Sequence, residues 1–457
     1  MSKTLRIKKG LKINLKGQPE KIYATAPQPK VVALKPTDIT GLTPKLTVKE
    51  GQEVLAGDPL FFDKDRPDIQ FPSPVSGEVA EIVRGEKRRV LEIRVLADAE
   101  TKYREFTLPS LKSGNREEIT AVLLKSGLWS FIIQRPYAVV ANPKDSPKAI
   151  FISGFDTNPL APDMDFALFG QEAFLQKGLD VISMLTDGKV HLSLSSQPGF
   201  GEAFKNLSAP NLEKHQVSGV HPAGNVGVQI HHIDPINKGE VVWTITPQHL
   251  VFIGKLFTEG RVDLSKVVAV GGSGVKAPKH YKTIVGAPLN GILDNNLVDK
   301  GNFRIISGSP LSGQTVSTEG FLGYYDQQVA VLPEGNEPKF VLTEGWLSPG
   351  FNRFSASKAY PTWLIGKSKQ FDLDTNLNGE ERAFVVTGQY EKVFPFDIYP
   401  VHLIKAIMAN DIELMENLGI YEVAAEDFAL CEFVCTSKVM VQDIVSKGIE
   451  SFRAEMA

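Results

Sequence analysis

The chain has 457 residues, and at roughly 100–200 residues per domain this length predicts about three or four domains. A hydrophobic fraction of 42% and a charged fraction of 23% exclude a disordered or collagen-like chain. The 50 Lys and Arg residues against 53 Asp and Glu leave a net charge of −3, which argues against general nucleic-acid binding. Two cysteines are too few to hold a four-thiolate iron–sulfur cluster.

Neither a membrane span nor a targeting segment is expected. The longest apolar runs, such as 149–155 and 249–254, are as short as strands, whereas a spanning helix needs about 20 mostly apolar residues. The first ten residues are basic but no apolar core follows them, so no signal peptide is predicted. We therefore expect a cytoplasmic protein, which could still dock on a membrane protein.

Residues 1–100 contain short β-type runs between turns, at 31–34, 44–48, 59–62, 77–83 and 90–96. Turns at Gly51 and Gly57 are followed by Pro-Val-Ser-Gly-Glu-Val at 74–79, a pattern that resembles the barrel-sandwich fold of biotinyl and lipoyl domains. Carriers of that fold modify a lysine at a hairpin tip. Lys64 lacks the flanking residues of such a site, so a solvated loop lysine is the preferred interpretation.

Residues 101–260 predict a Rossmann-like α/β domain. Helical periodicity at 119–124 and around 171–178 alternates with apolar runs at 149–152 and 180–185, interpreted as strands. Further β-type runs follow at 189–194 and 240–245. Alternating strands and helices favour a parallel sheet with crossover helices.

The last two parts are predicted to be a β-grasp module of the soluble-ligand-binding type, 261–345, and a connecting segment with a helical domain, 346–457. The glycine turn at 271–274 follows an apolar strand and precedes a short helix near 289–293. A phosphate-binding loop is the alternative to a structural turn, but the spacing is wrong and no helix follows directly, since Pro278 comes four residues after the turn. Further helices are expected at 401–407, at 412–418 with Gly419 as C-cap, and from about Asp427.

A cation stands beside aromatic residues just ahead of a predicted strand. Arg135 and Tyr137 follow Trp129 and Phe131, and this set suits a planar or carboxylated ligand. A packing corner is the alternative interpretation.

Histidines cluster around a glycine-rich loop. His221, Asn225 and His231 could line a polar pocket, whereas a metal site is disfavoured because adjacent His231 and His232 would point to opposite faces of a strand. We predict no metal site in the chain.

The two thiols, Cys431 and Cys435, should share one helix face as buried, inert cysteines. No nucleophile elbow, zinc-protease or kinase motif is present, so no self-contained catalytic site is expected.

Taken together, several segments resemble one family, the A component of the bacterial Na⁺-translocating NADH:quinone reductase. In chain order they are Ile-Lys-Lys-Gly-Leu at 7–11, Pro-Val-Ser-Gly at 74–77, Arg-Pro at 135–136, His-Pro-Ala-Gly-Asn at 221–225, Asp-Ile-Tyr-Pro at 397–400, and the run 427–438. Thr436 departs from the proline expected there, which affects a helix end rather than the assignment.

The resemblance implies a peripheral subunit on the cytoplasmic side of the inner membrane, without a transmembrane helix. It implies docking on the membrane-embedded B component within a complex of six subunits, A to F, that couples NADH oxidation and quinone reduction to Na⁺ export. It implies no cofactor bound by this subunit, with flavins and iron centres in the partners and quinone as substrate of the complex. It also relates 101–260 to the flavoprotein subunit of complex I.

A quinone is a planar apolar ring with two carbonyl acceptors, and it needs an apolar slot with a donor. Trp129, Phe131, Arg135 and Tyr137 have suitable chemistry for a place near quinone. Two alternatives remain: a flavin- and NADH-binding electron-entry subunit of the Rnf or complex I kind, and a carrier or ligand-binding module.

Overall fold

The computed structural model describes residues 2–111, 115–345, 347–365 and 368–456. The strands in these ranges are β1 (Thr4–Arg6), β2 (Glu20–Thr25), β3 (Val31–Leu34), β4 (Pro44–Leu46), β5 (Glu53–Val54), β6 (Pro59–Asp63), β7 (Gln70–Pro72), β8 (Gly77–Arg84), β9 (Val90–Ala97), β10 (Ile133–Arg135), β11 (Val139–Val140), β12 (Ala149–Ser153), β13 (Lys189–Ser195), β14 (Leu212–Ser218), β15 (Val242–Thr244), β16 (Ser265–Gly271), β17 (Lys279–Ile284), β18 (Phe303–Ser307), β19 (Gln314–Val316) and β20 (Gln328–Pro333).

The α-helices in the same ranges are α1 (Arg116–Lys125), α2 (Met164–Ala167), α3 (Glu172–Ser183), α4 (Val226–Ile233), α5 (Pro247–Glu259), α6 (Asn290–Leu293), α7 (Thr362–Ile365), α8 (Tyr390–Val393), α9 (Pro400–Met408), α10 (Ile412–Asn417), α11 (Ala429–Phe433) and α12 (Val441–Met456). Among the described residues, no helix combines the length and the apolar character that crossing a bilayer requires.

Two small antiparallel sheets form the N-terminal part, in the orders β3-β9-β8-β5 and β4-β6-β7. Their apolar side chains meet in one core, where the rings of Phe61 and Phe71 stack 4.6 Å apart. Gly77 begins β8 with φ of +145°, and a Cβ there would lie 1.9 Å from the carbonyl oxygen of Leu96. A side chain at this position would therefore break the pairing of β8 with β9. The predicted β-type runs all contain strands, and the barrel-sandwich assignment is confirmed.

A seven-stranded sheet, in the order β1-β14-β13-β12-β15-β10-β11, forms the middle part. Strands β1, β14, β13, β12 and β15 are parallel, while β10 and β11 pair antiparallel at the edge. Ile150 and Ile152 of β12 pack in the same cluster as residues of α3 and α5, and Phe151 packs with α4. Helices therefore cover both faces of the sheet. Helices α3 and α5 approach closely where Gly254 has no side chain, since a Cβ there would lie 1.8 Å from the carbonyl oxygen of Phe174.

A six-stranded sheet follows, in the order β19-β18-β20-β16-β17-β2. Its edge strand β2 comes from residues 20–25, and β1 belongs to the middle sheet, so the first 25 residues contribute strands outside the two N-terminal sheets. Helices α8 to α12 then form a separate core with the N-terminal Ile7, Ile13 and Leu15. Strand pairing thus ties the start of the chain to two later parts.

Three local predictions are wrong. Residues 180–185, interpreted as a strand, include the last turn of α3, because a short apolar run fits a buried helix as well as a strand. His231 and His232 lie in helix α4 rather than on a strand. Cys435 lies beyond the end of α11, so it does not share a helix with Cys431, although both thiols are buried.

Candidate functional site

The seven residues predicted to line a pocket fall into two places. Trp129 and Phe131 lie in a short 3₁₀ turn after α1, and both side chains are fully buried. The indole Nε1 of Trp129 donates a hydrogen bond of 2.8 Å to the carbonyl oxygen of Ala141, and its ring meets that of Trp243 edge-on at 5.3 Å. Trp129 is therefore a satisfied core residue beside the site described next.

Phe131 belongs to a group of packed rings, here called the buried aromatic cluster: Phe131, His249, Phe252, Tyr324 and Tyr325. The ring of Tyr324 stacks on Phe131 at 4.8 Å, and the imidazole of His249 lies 4.6 Å from Phe131. Offset and edge-on ring packing of this kind gives a rigid apolar surface.

The two tyrosine hydroxyls of the buried aromatic cluster converge on Ser130. The hydroxyls of Tyr324 and Ser130 are hydrogen-bonded at 2.7 Å, and that of Tyr325 donates 2.8 Å to the Ser130 carbonyl oxygen. Burial raises the pKa of both phenols, so they stay protonated donors at neutral pH.

Three buried polar atoms near the cluster have no hydrogen-bond partner among the described residues: Lys266 Nζ, His249 Nε2 and Asp38 Oδ1. The nearest recorded cation to Asp38 Oδ1 is Lys35 Nζ, in an ion pair of 3.6 Å. Burial lowers the pKa of Lys266 to about 8, against the opposing charges of Asp326 and Asp38. Burial also lowers the pKa of His249, and Lys266 adds to this effect.

These groups come from three parts of the fold. Asp38 lies in the N-terminal part, His249 lies in the first turn of α5, and Lys266 belongs to β16 of the six-stranded sheet. The place where these three parts meet therefore combines flat aromatic rings with a lysine, an imidazole and a carboxylate. Each of these three polar groups has an atom without a hydrogen-bond partner among the described residues. Such groups cost stability unless something else satisfies them. The sequence identified Phe131 but not Asp38, His249 or Lys266, because these three residues are distinguished only by buried polar atoms without hydrogen-bond partners, which no sequence pattern shows.

Arg135 lies elsewhere, at the boundary between the middle sheet and the C-terminal helices. Its buried guanidinium donates 3.1 Å to Asp427 Oδ2 and 2.6 Å to Glu426 Oε1. Burial raises the pKa of Glu426, and Arg135 opposes this rise. The cation is engaged by two carboxylates, and the structure does not bring it to the rings of Trp129 or Phe131.

Two other predicted pocket residues, Tyr137 and His231, lie at the same boundary. Tyr137 packs on Phe452 of α12 at 6.2 Å. His231 Nε2 accepts 3.0 Å from the backbone N–H of Asp397, so its proton is on Nδ1, which donates 3.1 Å to Glu422. His231 thus joins α4 to the C-terminal part.

His221 and Asn225 lie on the loop before α4. His221 is buried, its Nδ1 lies 3.3 Å from the hydroxyl of Thr157, and its Nε2 has no partner among the described residues. Burial lowers the pKa of His221 to about 4, so the ring is neutral at physiological pH. Asn225 occupies the N-cap position without a capping bond from its side chain.

A different set of residues has the spacing of metal ligands: His191, Glu213 and His215 on β13 and β14. The backbone N–H of Lys3 donates 3.0 Å to His215 Nδ1, so His215 carries its proton on Nε2 and donates 2.9 Å to His191 Nδ1. The nitrogen atoms that a metal would take are therefore used in a hydrogen-bond chain. Burial, followed by His215, lowers the pKa of His191 to about 4.

The glycine turn at 271–274 is packed against the chain itself. Gly272 has φ of +110°, and a Cβ there would lie 2.1 Å from the carbonyl oxygen of Val331. Its N–H donates 2.9 Å to the carbonyl oxygen of Gly17. These contacts favour the structural turn over a phosphate cradle.

Comparison with known proteins places these features in a family. Three family models match: the NqrA N-terminal barrel-sandwich hybrid domain over residues 5–98, the NqrA second alpha/beta domain over 114–262, and the NQRA C-terminal domain over 267–318. Among solved structures, a NAD⁺-reducing [NiFe]-hydrogenase in the H₂-reduced state is 11% identical, with 75% of this chain and 64% of that chain covered. Its TM-score is 0.37, too low to support an argument.

Curated relatives match over nearly their whole length, and each is named as the A component of a Na⁺-translocating NADH-quinone reductase. The protein from Neisseria meningitidis serogroup A is 36% identical, with 99% of this chain and 100% of the relative covered. That from Vibrio campbellii is 37% identical with the same coverage, and that from Yersinia pseudotuberculosis is 37% identical with 95% and 96% covered. The chain belongs to the NqrA family, the A components of Na⁺-translocating NADH-quinone reductases.

Proposed function

We propose that this chain is the peripheral A component of a complex that couples NADH oxidation and quinone reduction to Na⁺ export. The observation that carries this proposal is identity of 36–37% with relatives of that name, sustained over 99% of the chain. Sustained similarity along the whole chain supports a shared role more strongly than any single motif does. In this proposal the chain lies on the cytoplasmic side of the membrane and docks on the membrane-embedded B component.

The domain organisation that we propose has boundaries at 1–100, 101–260, 261–345 and 346–457. The three matched family models fall in the first three intervals, except that the second model extends two residues past 260, to residue 262. A Rossmann-like middle domain is supported by the order β14-β13-β12-β15 with helices on both faces, which is the arrangement of one half of a doubly wound sheet. A β-grasp assignment for 261–345 stays a proposal.

The division of labour that we propose places the flavins and iron centres in the partner components, B to F. Each of the two cysteines is buried, and burial raises the pKa of Cys431 far above that of an ordinary thiol. A protonated, enclosed thiol is a poor metal ligand. This chemistry supports a subunit that positions quinone or its partners rather than one that carries electrons.

The buried aromatic cluster is the place that we propose nearest to quinone. A quinone ring packs well on flat aromatic surfaces and needs donors for its two carbonyl oxygens. The cluster offers a rigid apolar wall built on the stacked rings of Phe131 and Tyr324, and Lys266 Nζ is a donor without a partner among the described residues. Trp129 supports the cluster from the side, while Arg135, Tyr137, His221, Asn225 and His231 act through the boundary with the C-terminal helices.

Purification of the tagged chain from its native membrane tests the main proposal. We expect the other subunits of a sodium-dependent quinone reductase to arrive with it, while the isolated chain has no flavin absorbance near 450 nm and no iron. A flavin or cluster bound in stoichiometric amount to the isolated chain would contradict the proposal and favour an electron-entry subunit.

Quinone kinetics of the assembled complex test the proposed position. We expect Phe131→Leu to raise the quinone KM several-fold, because it removes one face of the ring stack. The exposed Phe200 offers a matched control, and Phe200→Leu should leave KM unchanged. Equal kinetics in both variants would remove the buried aromatic cluster from the proposal, and unchanged kinetics of Arg135→Ala would remove Arg135.

A further inference from the structure

A long excursion of the chain, residues 336–374, leaves the body of the protein and returns at the same point. Its ends are joined because the N–H of Thr375 donates 3.2 Å to the carbonyl oxygen of Pro333 and that of Gly335 donates 3.1 Å to Thr375 Oγ1. Within its described residues the only regular element is the four-residue helix α7. Loops of more than about 15 residues with little regular secondary structure of their own are uncommon in compact domains, and many of them are functional.

The excursion is anchored to the body of the protein near its C-terminal end and again at Phe354, so it has a defined position. The N–H of Phe371 donates 2.7 Å to the carbonyl oxygen of Asn14, and the N–H of Lys16 donates 2.9 Å back to that of Phe371. The ring of Phe354 lies 5.3 Å from Phe371 and 5.8 Å from Phe433 of α11. These contacts use the inward-facing apolar residues of the excursion.

Seven other apolar side chains of the excursion are exposed to solvent. Of the 21 exposed large apolar side chains among the described residues, seven fall within 340–364. They are Phe340, Val341, Leu342, Leu347, Phe351, Trp363 and Leu364. Exposure is 66% for Phe340, 60% for Phe351 and 63% for Leu364, so these side chains are not merely at the edge of a core. A concentration of this kind marks an interaction surface.

Close packing connects the exposed residues around Phe351 with those around Trp363. A Cβ on Gly350, which has φ of +72°, would lie 2.0 Å from the ring of Tyr360. The guanidinium of Arg353 donates 3.0 Å to the hydroxyl of Tyr360. Residues near 350 and 360 are therefore held side by side, and the sections that flank them can meet one partner together.

The charge and composition of residues 340–369 indicate the kind of partner. This stretch contains four Lys or Arg residues and one Glu, whereas the whole chain has 50 against 53 acids. Six of its 30 residues are aromatic, compared with 9% of the chain, and it holds two of the four tryptophans. Basic residues interleaved with Trp, Tyr and Phe are typical of segments that lie in the headgroup region of an anionic membrane.

We propose that residues 340–369 bind directly to the anionic surface of a lipid bilayer, with the exposed apolar side chains entering the headgroup region. A protein partner fits less well, because lysine is depleted at protein–protein interfaces while three of the four cations here are lysines. The Nζ of Lys358 lies 5.4 Å from the ring centre of Trp363, so cation and ring can reach one headgroup layer together. This contact goes beyond the proposed function because it needs no partner subunit.

Sedimentation of the full chain with lipid vesicles tests the proposal. We expect binding to vesicles of phosphatidylcholine and phosphatidylglycerol in equal amounts, weaker binding at physiological than at low ionic strength, and little binding to phosphatidylcholine alone. The triple variant Phe340→Ser, Phe351→Ser, Trp363→Ser should lose at least about tenfold in affinity, and Lys358→Glu a smaller factor. The exposed pair Phe169→Ser, Phe200→Ser is the matched control and should bind as the unaltered chain does.

Circular dichroism and the thermal midpoint establish that each variant is folded. Absence of binding by the unaltered chain, or equal binding by the triple variant, would overturn the proposal. Loss of co-purifying subunits in the triple variant, without vesicle binding by the unaltered chain, would overturn it too and assign the surface to a protein. Failure of the proposed function is recognised separately, since it would appear as an absence of co-purifying subunits with the unaltered chain, whatever the vesicle experiment shows.

Discussion

Replacing Lys266 by methionine removes a buried ammonium group that has no hydrogen-bond partner among the described residues. Burial lowers the pKa of this lysine from 10.5 to about 8. One pKa unit corresponds to about 1.4 kcal/mol, so the native state bears a penalty of about 3 kcal/mol for holding this charge. Methionine has a similar length and no charge, so it fills the same space without that penalty.

The sign of the pH dependence follows from proton binding. Below about pH 8 the lysine is charged in both states, and the native state bears the full penalty. Between about pH 8 and 10.5 it is neutral in the native protein but charged in the unfolded chain, which therefore binds more protons. Stability of the unaltered protein consequently rises with pH in this window.

We expect Lys266→Met to raise the free energy of unfolding at about pH 7 by up to about 3 kcal/mol, and the difference to shrink as the pH approaches about 10. Urea unfolding of both proteins across this range measures it. Lys205 has a side chain that is 70% exposed, so Lys205→Met is the control and should change little. A constant difference across pH, or a less stable Lys266→Met, would refute the reasoning by showing that the Asp38 and Asp326 charges compensate the lysine.

The same variant connects stability to function. A buried charge that costs stability is typical of a functional position. We expect the assembled complex with Lys266→Met to reduce quinone more slowly although the subunit is more stable. Unchanged quinone reduction would separate Lys266 from the proposed quinone site.

Three further predictions follow from individual contacts. Arg135→Ala should lower the free energy of unfolding in urea by about 3–5 kcal/mol, because it leaves the buried Asp427 carboxylate without its cation. Arg135→Lys should cost less. A loss below about 1 kcal/mol for Arg135→Ala would contradict this prediction. Gly254→Ala should cost about 1–3 kcal/mol or more of stability and so lower the thermal midpoint, since its Cβ would collide with the carbonyl oxygen of Phe174 in α3. Gly291→Ala has room for its Cβ and should leave the midpoint unchanged. Equal midpoints of the two variants would refute the close approach of α3 and α5. The Cys431 thiol should react with a maleimide only after unfolding, because it is buried and its pKa is raised, and rapid labelling of the native chain, followed by intact mass, would disprove this.

Local patterns predict the N-terminal strands well because each run lies between turns whose glycines must adopt positive φ. Gly51 at +78° and Gly57 at +95° have that conformation. The prediction fails at 180–185, where six mostly apolar residues without clear periodicity fit a strand or the end of a buried helix. It fails again at His231, since eight residues after a glycine-rich loop carry too little periodicity to reveal α4.

The candidate site was only partly accessible from sequence. Phe131 and Arg135 look like neighbours in a short segment, yet one side chain enters the buried aromatic cluster and the other pairs with Glu426 and Asp427, almost 300 residues later. Asp38, His249 and Lys266 have nothing in their local sequences to connect them. The edge strands β1 and β2 likewise gain partners only from β14 and β17.

The amino-acid sequence alone determines the family, most short elements and the shortage of thiols, because these depend on residue type and on neighbours within a few positions. Only the tertiary structure decides that Lys266 is buried without a partner among the described residues, that Arg135 is engaged by two carboxylates, and that one excursion exposes apolar side chains. Burial and pairing are sums over contacts between distant segments, and no local pattern in the chain encodes which of those segments will meet.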